Sequence, residues 1–337
     1  MNLVPLIELS RGGIPECLHF GAVAHVDTRG KLLSAAGDPD WVTFSRSTLK
    51  ALQALPFVQA GGPERLGLSQ SQVALLCASH NGEEQHVEQV QGMLDKAGLS
   101  YKALRCGCQV PGLFAALEQA PPPGAAFDER HNNCSGKHAG FLGYCVLHGL
   151  STDDYIDPIH PLQQAIRRDV ARAVGLDAEQ LKIGIDGCSA PNYALPLANL
   201  ARGYARLASG ARDAEFGQSF ATLSEAMTTH PDMVSGSGRS DLAFMRAGRG
   251  DWVTKIGADG VQAVASKSRG EGFALKIIDA NKTALLAATV AVLDQLGWLD
   301  TAQRAELLPW RATDIRNVRG LVVGARKPVF TLQRAPE

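Results

Sequence analysis

The sequence predicts an α+β protein in which an antiparallel sheet, assembled from both ends of the chain, carries a helical middle region. Three observations predict it. Branched apolar runs stand near both termini, apolar residues recur at helical spacing between them, and an Asp-Gly dipeptide joins two apolar runs late in the chain. Residues 3–9 and 18–26 read as the first two strands, and Asp27-Thr28-Arg29-Gly30 turns the chain into a third at 31–35. From residue 45 to about 242 the pattern is mostly helical: Leu49, Leu52 and Leu55 share a face, as do Val87, Val90 and Leu94, and residues 140–150 and 219–227 add two more helices. Pro121-Pro122-Pro123-Gly124 interrupts the region, but so short a tract is a loop. Strands return at 252–257 and 261–266, joined through Ala258-Asp259-Gly260, and Asp-Gly there favours a tight hairpin. Residues 272–278 follow as a strand, 282–296 as a helix and 321–330 as a final strand. The sheet region thus takes 1–44 and 250–337, the helical region takes 45–249, and together they make one integrated unit.

Composition narrows what such a unit can do. Lys+Arg 33 against Asp+Glu 34 leaves a net charge of -1, so no field draws nucleic acid or an anionic membrane, and a small, locally recognised substrate is expected. The first residues lack the charged and apolar segments of a signal peptide, and no apolar run reaches the roughly 20 residues of a membrane span. Seven irregularly spaced cysteines make no disulfide framework. A cytoplasmic protein is expected. Cys17, Cys77 and Cys145, set among apolar residues, read as core.

Three short motifs carry chemistry. Ser47-Thr48-Leu49-Lys50 places a hydroxyl and an amine one helical turn apart, Ser79-His80-Asn81 follows a buried helix at 73–78, and Lys255-Ile256-Gly257 lies on a strand. In this order they echo serine acyl-transfer enzymes whose base is lysine. A serine is a weak nucleophile until a neighbouring base takes its proton, and a lysine can do so only when neutral. Two lysines close together make more chemical sense than one, since each disfavours the charge of the other. Each motif has a structural alternative: a helix cap for Ser47, a polar turn for Ser79, an edge-strand guard for Lys255.

Two cysteine segments stand out. His131-Asn132-Asn133-Cys134-Ser135-Gly136-Lys137-His138 is rich in hydrogen-bonding groups, and Gly184-Ile185-Asp186-Gly187-Cys188-Ser189 reads as a strand ending in a turn that presents Asp186 and Cys188. Thiolates suit zinc, but two thiols do not complete a tetrahedral site, and the residues alone favour buried, inert cysteines. Arg239, in the glycine- and serine-rich stretch 235–241, has the chemistry to hold a substrate carboxylate.

Taken together, Phe44 to Lys50, Ala78 to Glu83, Asn132 to His138, Gly184 to Ser189 and Lys255-Ile256-Gly257-Ala258 resemble the rhizobial-type L-asparaginases, the asparaginase II family. The resemblance implies a fold similar to serine β-lactamases and glutaminases, a homodimer, and hydrolysis of L-asparagine to L-aspartate and ammonia. It implies two serine–lysine pairs, Ser47 with Lys50 and Ser79 with Lys255, and zinc ligands at Cys134, Lys137 and Cys188. Asp186, Arg46, His80, Asn81, Asn133 and Arg239 are the expected substrate-binding residues, with Asp186 on the α-ammonium group. Departures occur at Cys108-Gln109-Val110-Pro111, at Asp259 where glutamate is more usual, and at 264–269, where Lys267 rivals Lys255 as the second lysine. The alternatives are a glutaminase or other serine amidohydrolase, a β-lactam-recognising enzyme, and a non-catalytic zinc-carrying ligand-binding protein.

Overall fold

The computed structural model describes residues 2–311 and 313–336. Its strands are β1 (Val4–Arg11), β2 (Ile14–Asp27), β3 (Leu32–Ala36), β4 (Val42–Phe44), β5 (Lys182–Ile185), β6 (Pro191–Pro196), β7 (Trp252–Gly257), β8 (Val261–Ser266), β9 (Glu271–Ile277), β10 (Asp314–Arg316), β11 (Val322–Pro328) and β12 (Gln333–Arg334). The main sheet is antiparallel, in the order β10-β11-β1-β2-β9-β8-β7, with β3 on β2 and β12 on β3. Both chain ends therefore build the sheet, and the helical stretch between them packs on it, as the pattern predicts.

Period-two alternation sorts the central strands into two faces. Ala22, Ala24, Val26, Ala263, Ala265 and Ala274 face the large helical core, whereas Val23, Val264, Phe273, Leu275 and Ile277 face a second core under the helix Lys282–Gln295. The first face is small for a reason. The helix Leu197–Ser209 lies so close that a Cβ on Gly272 would come within 2.9 Å of the Ala201 carbonyl oxygen and the Ala205 nitrogen. Any larger residue at 272 would have to push the helix off the sheet.

The sequence reading needs three corrections. A small antiparallel sheet, β4-β6-β5, stands inside the region expected to be helical. It is hard to read because β4 has three residues and β6 is buried on both faces apart from Pro196, which erases the alternation that marks a half-exposed strand. Strands β10 and β12 are also too short to leave a pattern. Cys17, expected in the core, is exposed on the extended front half of β2, while Cys77 and Cys145 are buried as expected. Among the described residues no helix is long and apolar enough to cross a membrane.

Candidate active site

Ser47 and Ser79 line one cavity of about 220 Å³ between the β7–β8 turn and the helical region. Ser47 reaches it from a tight helical turn, Arg46–Leu49, that runs into the helix Lys50–Gln53. The turn is seeded by Arg46 in the left-handed region, φ 51, which is uncommon for a residue with a side chain. The Asn192 carboxamide compensates by gripping both sides of Arg46: its Oδ1 accepts from the Arg46 N–H at 3.0 Å and its Nδ2 donates to the Arg46 carbonyl at 3.0 Å. Gly257 allows this segment to lie against β7, since a Cβ there would be 2.9 Å from the Ser45 carbonyl oxygen. Opposite, Asp259 (φ 57) and Gly260 (φ 79) close the hairpin as the Asp-Gly signal predicts.

The two lysines are fully buried, and their partners differ from the expected pairing. Lys50 Nζ donates to the Ala78 carbonyl at 2.5 Å, Ser79 Oγ at 2.9 Å and the Asn133 carbonyl at 3.4 Å. Carbonyls only accept, so the single group around Lys50 that can return a proton to it is Ser79. Lys255 Nζ bonds instead to Asp241 Oδ2 at 3.0 Å and to the Ile256 carbonyl at 2.8 Å. Ser79 is thus paired with Lys50, not with Lys255, and the Ser47 hydroxyl makes no hydrogen bond among the described residues. Lys267, the rival second lysine, bonds Thr228 Oγ1 at 2.8 Å beyond the opposite end of β8 and does not join the cluster.

Asp241, missed from the sequence, anchors this corner. From the first turn of the helix Ser240–Ala247 its carboxylate also accepts from the Ile256 N–H at 2.9 Å, Thr254 Oγ1 at 3.3 Å and Gln262 Nε2 at 3.4 Å. Burial works to raise its pKa, but Lys255 and the Ile256 N–H outweigh it and hold the carboxyl below its usual range. A lysine inside an otherwise apolar strand was the available signal, since a buried ammonium requires an anion nearby. Burial, opposed by Asp241 and reinforced by the charges of Lys50 and Arg239, brings Lys255 down to about 8. Below that pH Lys255 holds its proton, and above it Lys255 is neutral and no longer adds a charge to the cluster. Activity that depends on a neutral amine is therefore expected to rise with pH through about 8, a limb that initial-rate profiles over pH 6–10 should reveal.

The expected substrate-binding residues divide into three groups. Asn133 and Arg239 line the serine cavity, and Arg239, whose nearest polar partner is Asn81 Oδ1 at 3.5 Å, has donors to spare. Arg46 bonds Asp186 Oδ1 through Nε at 2.9 Å and the Asp259 carboxylate through Nη1, forming a wall beside the cavity; Asp186 faces a neighbouring cavity with Arg46 and Asp259. His80 and Asn81 are fully buried, and their polar atoms bond groups of the protein. The His80 Nδ1 accepts from the Gly82 N–H at 3.0 Å, leaving Nε2 to donate to Ser135 Oγ at 2.8 Å, and burial keeps the ring neutral. Asn81 Nδ2 donates to the Ser237 carbonyl at 2.7 Å, so it fixes the loop that carries Arg239.

Cys134, Lys137 and Cys188 converge at the start of the helix Ser135–His148, where Lys137 Nζ lies 3.2 Å from Cys188 Sγ. A hydrogen bond from Cys134, then Lys137 and His138 against the cost of burial, hold Cys188 far below the usual thiol value. The same bond and burial push Cys134 well above it. Lys137 is disfavoured by burial yet raised by Cys188, Cys134 and Asp186, and so carries its charge. Among the described residues no three His, Cys, Asp or Glu side chains gather as metal ligands, so a metal set is complete only when the Lys137 amine is counted. The donors present, two sulfurs and one amine, fit a soft divalent ion provided Lys137 gives up its proton. Cys106, buried near Cys188, is pushed up to about 12, whereas Cys108 is exposed.

Comparison with known proteins supplies one strong match. The family described as L-asparaginase II matches residues 7–328. No curated protein matches the chain. A solved structure of a β-lactamase from Mycobacterium bovis is 15% identical, covering 82% of this chain and 94% of that one, with a TM-score of 0.39.

Proposed function

Since the chain belongs to the L-asparaginase II family, we propose that it hydrolyses L-asparagine to L-aspartate and ammonia through a serine acyl-enzyme with lysine as the base. Ser47 Oγ attacks the side-chain carboxamide carbon, and its proton passes through Ser79 to Lys50. The tetrahedral intermediate collapses as Lys50 returns that proton to the leaving nitrogen, ammonia departs, and an aspartyl ester remains on Ser47. Water then attacks the ester with Lys50 again taking a proton, which releases L-aspartate and restores the serine. Backbone N–H groups around Ser47 are the proposed oxyanion donors.

The observation that carries this reading is the bond from Lys50 to Ser79 inside the cavity that Ser47 also lines. Ser47 is the more accessible hydroxyl and has no partner among the described residues, whereas Ser79 is 3% exposed and already engaged. The same bond favours a second reading, in which Ser79 attacks directly and Ser47 assists.

Zinc and a homodimer belong to the proposal on the strength of the family resemblance. Cys134, Lys137 and Cys188 would hold the ion, which would supply a fixed positive charge next to the segment whose Asn133 carbonyl accepts from Lys50. Ammonia release from L-asparagine and L-glutamine, beside hydrolysis of a β-lactam, tests the function. Turnover of asparagine above the other two is expected. No asparagine turnover would contradict the proposal, and glutamine turnover, β-lactam turnover or ligand binding without product would identify the alternative.

A further inference from the structure

The serine cavity holds more positive charge than the protein neutralises. Arg239 and Lys282 both line it. Lys282 stands at the first position of the helix Lys282–Gln295, after Asn281, whose Oδ1 accepts from the Ala284 N–H at 2.9 Å. Its amine makes no hydrogen bond or ion pair among the described residues, although burial and the Arg239 charge push it below the usual lysine range. Arg239 has the Asn81 oxygen at 3.5 Å and no carboxylate partner among the described residues. The anion lining the same cavity, Asp259, is engaged by the Arg46 guanidinium, and Asp241 is engaged by Lys255. Asp241 lies close enough to favour the charge of both, but neither cation has a carboxylate in contact among the described residues, so an anion entering between them gains from both at once.

From this juxtaposition we infer that Lys282 is a specificity-determining residue, which with Arg239 forms a two-armed clamp for the α-carboxylate of the substrate. The inference rests on the proposed amidohydrolase function and assigns the residues that read the free α-carboxylate. A carboxylate can accept from a guanidinium and an ammonium at once. A carboxamide side chain projecting from the same α-carbon would then reach toward Ser47 and Ser79, with Asp259 on the ammonium side. A peptide amide, whose carboxyl is blocked, leaves both cations unpaired and is rejected on that ground.

Steady-state kinetics of the full-length protein test the clamp. Lys282→Ala is expected to raise KM for L-asparagine about tenfold with kcat within about twofold, as suits loss of one charge-assisted hydrogen bond that binds ground and transition states alike. 3-Aminopropanamide, which lacks the carboxylate, should be a poor substrate whose rate is the same for the wild type and the variant. An unchanged KM for asparagine, or an equal loss with 3-aminopropanamide, overturns the clamp. Calorimetric titration of Ser47→Ala protein with succinamate, which keeps the carboxylate, separates the two claims. Weaker binding on adding Lys282→Ala supports the clamp even if asparagine proves not to be hydrolysed, and unchanged binding refutes it.

Discussion

Replacing Lys50 with methionine is expected to lower kcat for asparagine by about 10³-fold, in the range that general acid–base groups supply, with KM little changed. Among the described residues the amine is the only titratable group bonded to Ser79, so no other base takes its place at that hydroxyl. Methionine fills much of the volume of the aliphatic stem, but the Ala78 carbonyl loses its donor, which costs about 1–3 kcal/mol if it is left buried and unpaired, whereas the Asn133 carbonyl keeps the His80 N–H at 3.3 Å. Thermal unfolding of the variant separates that cost from the chemistry. A small primary amine added to the folded variant should restore part of the rate, with a pH dependence set by the added amine. A folded Lys50→Met protein with near wild-type turnover would remove Lys50 from the mechanism.

Lys255→Met should have a double effect, because the residue is both part of the amine cluster and the counter-ion of Asp241. Ion pair and carboxylate are fully buried, and removing one partner of such a pair strands the other, at a cost of about 3–5 kcal/mol. Turnover is expected to fall almost as far as for Lys50→Met. The double variant Lys255→Met with Asp241→Asn removes the stranded charge and should recover much of the lost stability. It should not recover the rate. Chemical denaturation and initial rates on the same preparations distinguish the two effects. An intact rate in Lys255→Met would mean that Lys255 serves the fold alone.

Local features were legible in the sequence, and long-range pairings were not. Ser47 and Lys50 could be placed on one helical turn because their spacing alone puts them there, and Asp259-Gly260 could be read as a hairpin because few residues accept its backbone angles. Motif order brought Ser79 and Lys255 into the same neighbourhood. It could not say which amine bonds which hydroxyl. Lys50 reaches Ser79 across 29 residues and Lys255 meets Asp241 across 14, contacts fixed by how a helix packs against the edge strand β7. Lys282 carried no motif at all; it becomes visible only when the helix after β9 sets its first residue at the cavity. The internal bonds of His80 and Asn81 left no mark in the sequence either: a loop that must hold a buried serine and a buried lysine uses its polar side chains to satisfy itself.

The position of the acyl group tests the catalytic proposal most directly. Acid quenching during turnover of L-asparagine, followed by peptide mapping with mass spectrometry, should find the aspartyl group on the peptide that carries Ser47, and it should disappear in Ser47→Ala. An aspartyl group on Ser79 would exchange the roles of the two serines. A burst of ammonia release matched to no covalent adduct on either serine would contradict acyl transfer itself.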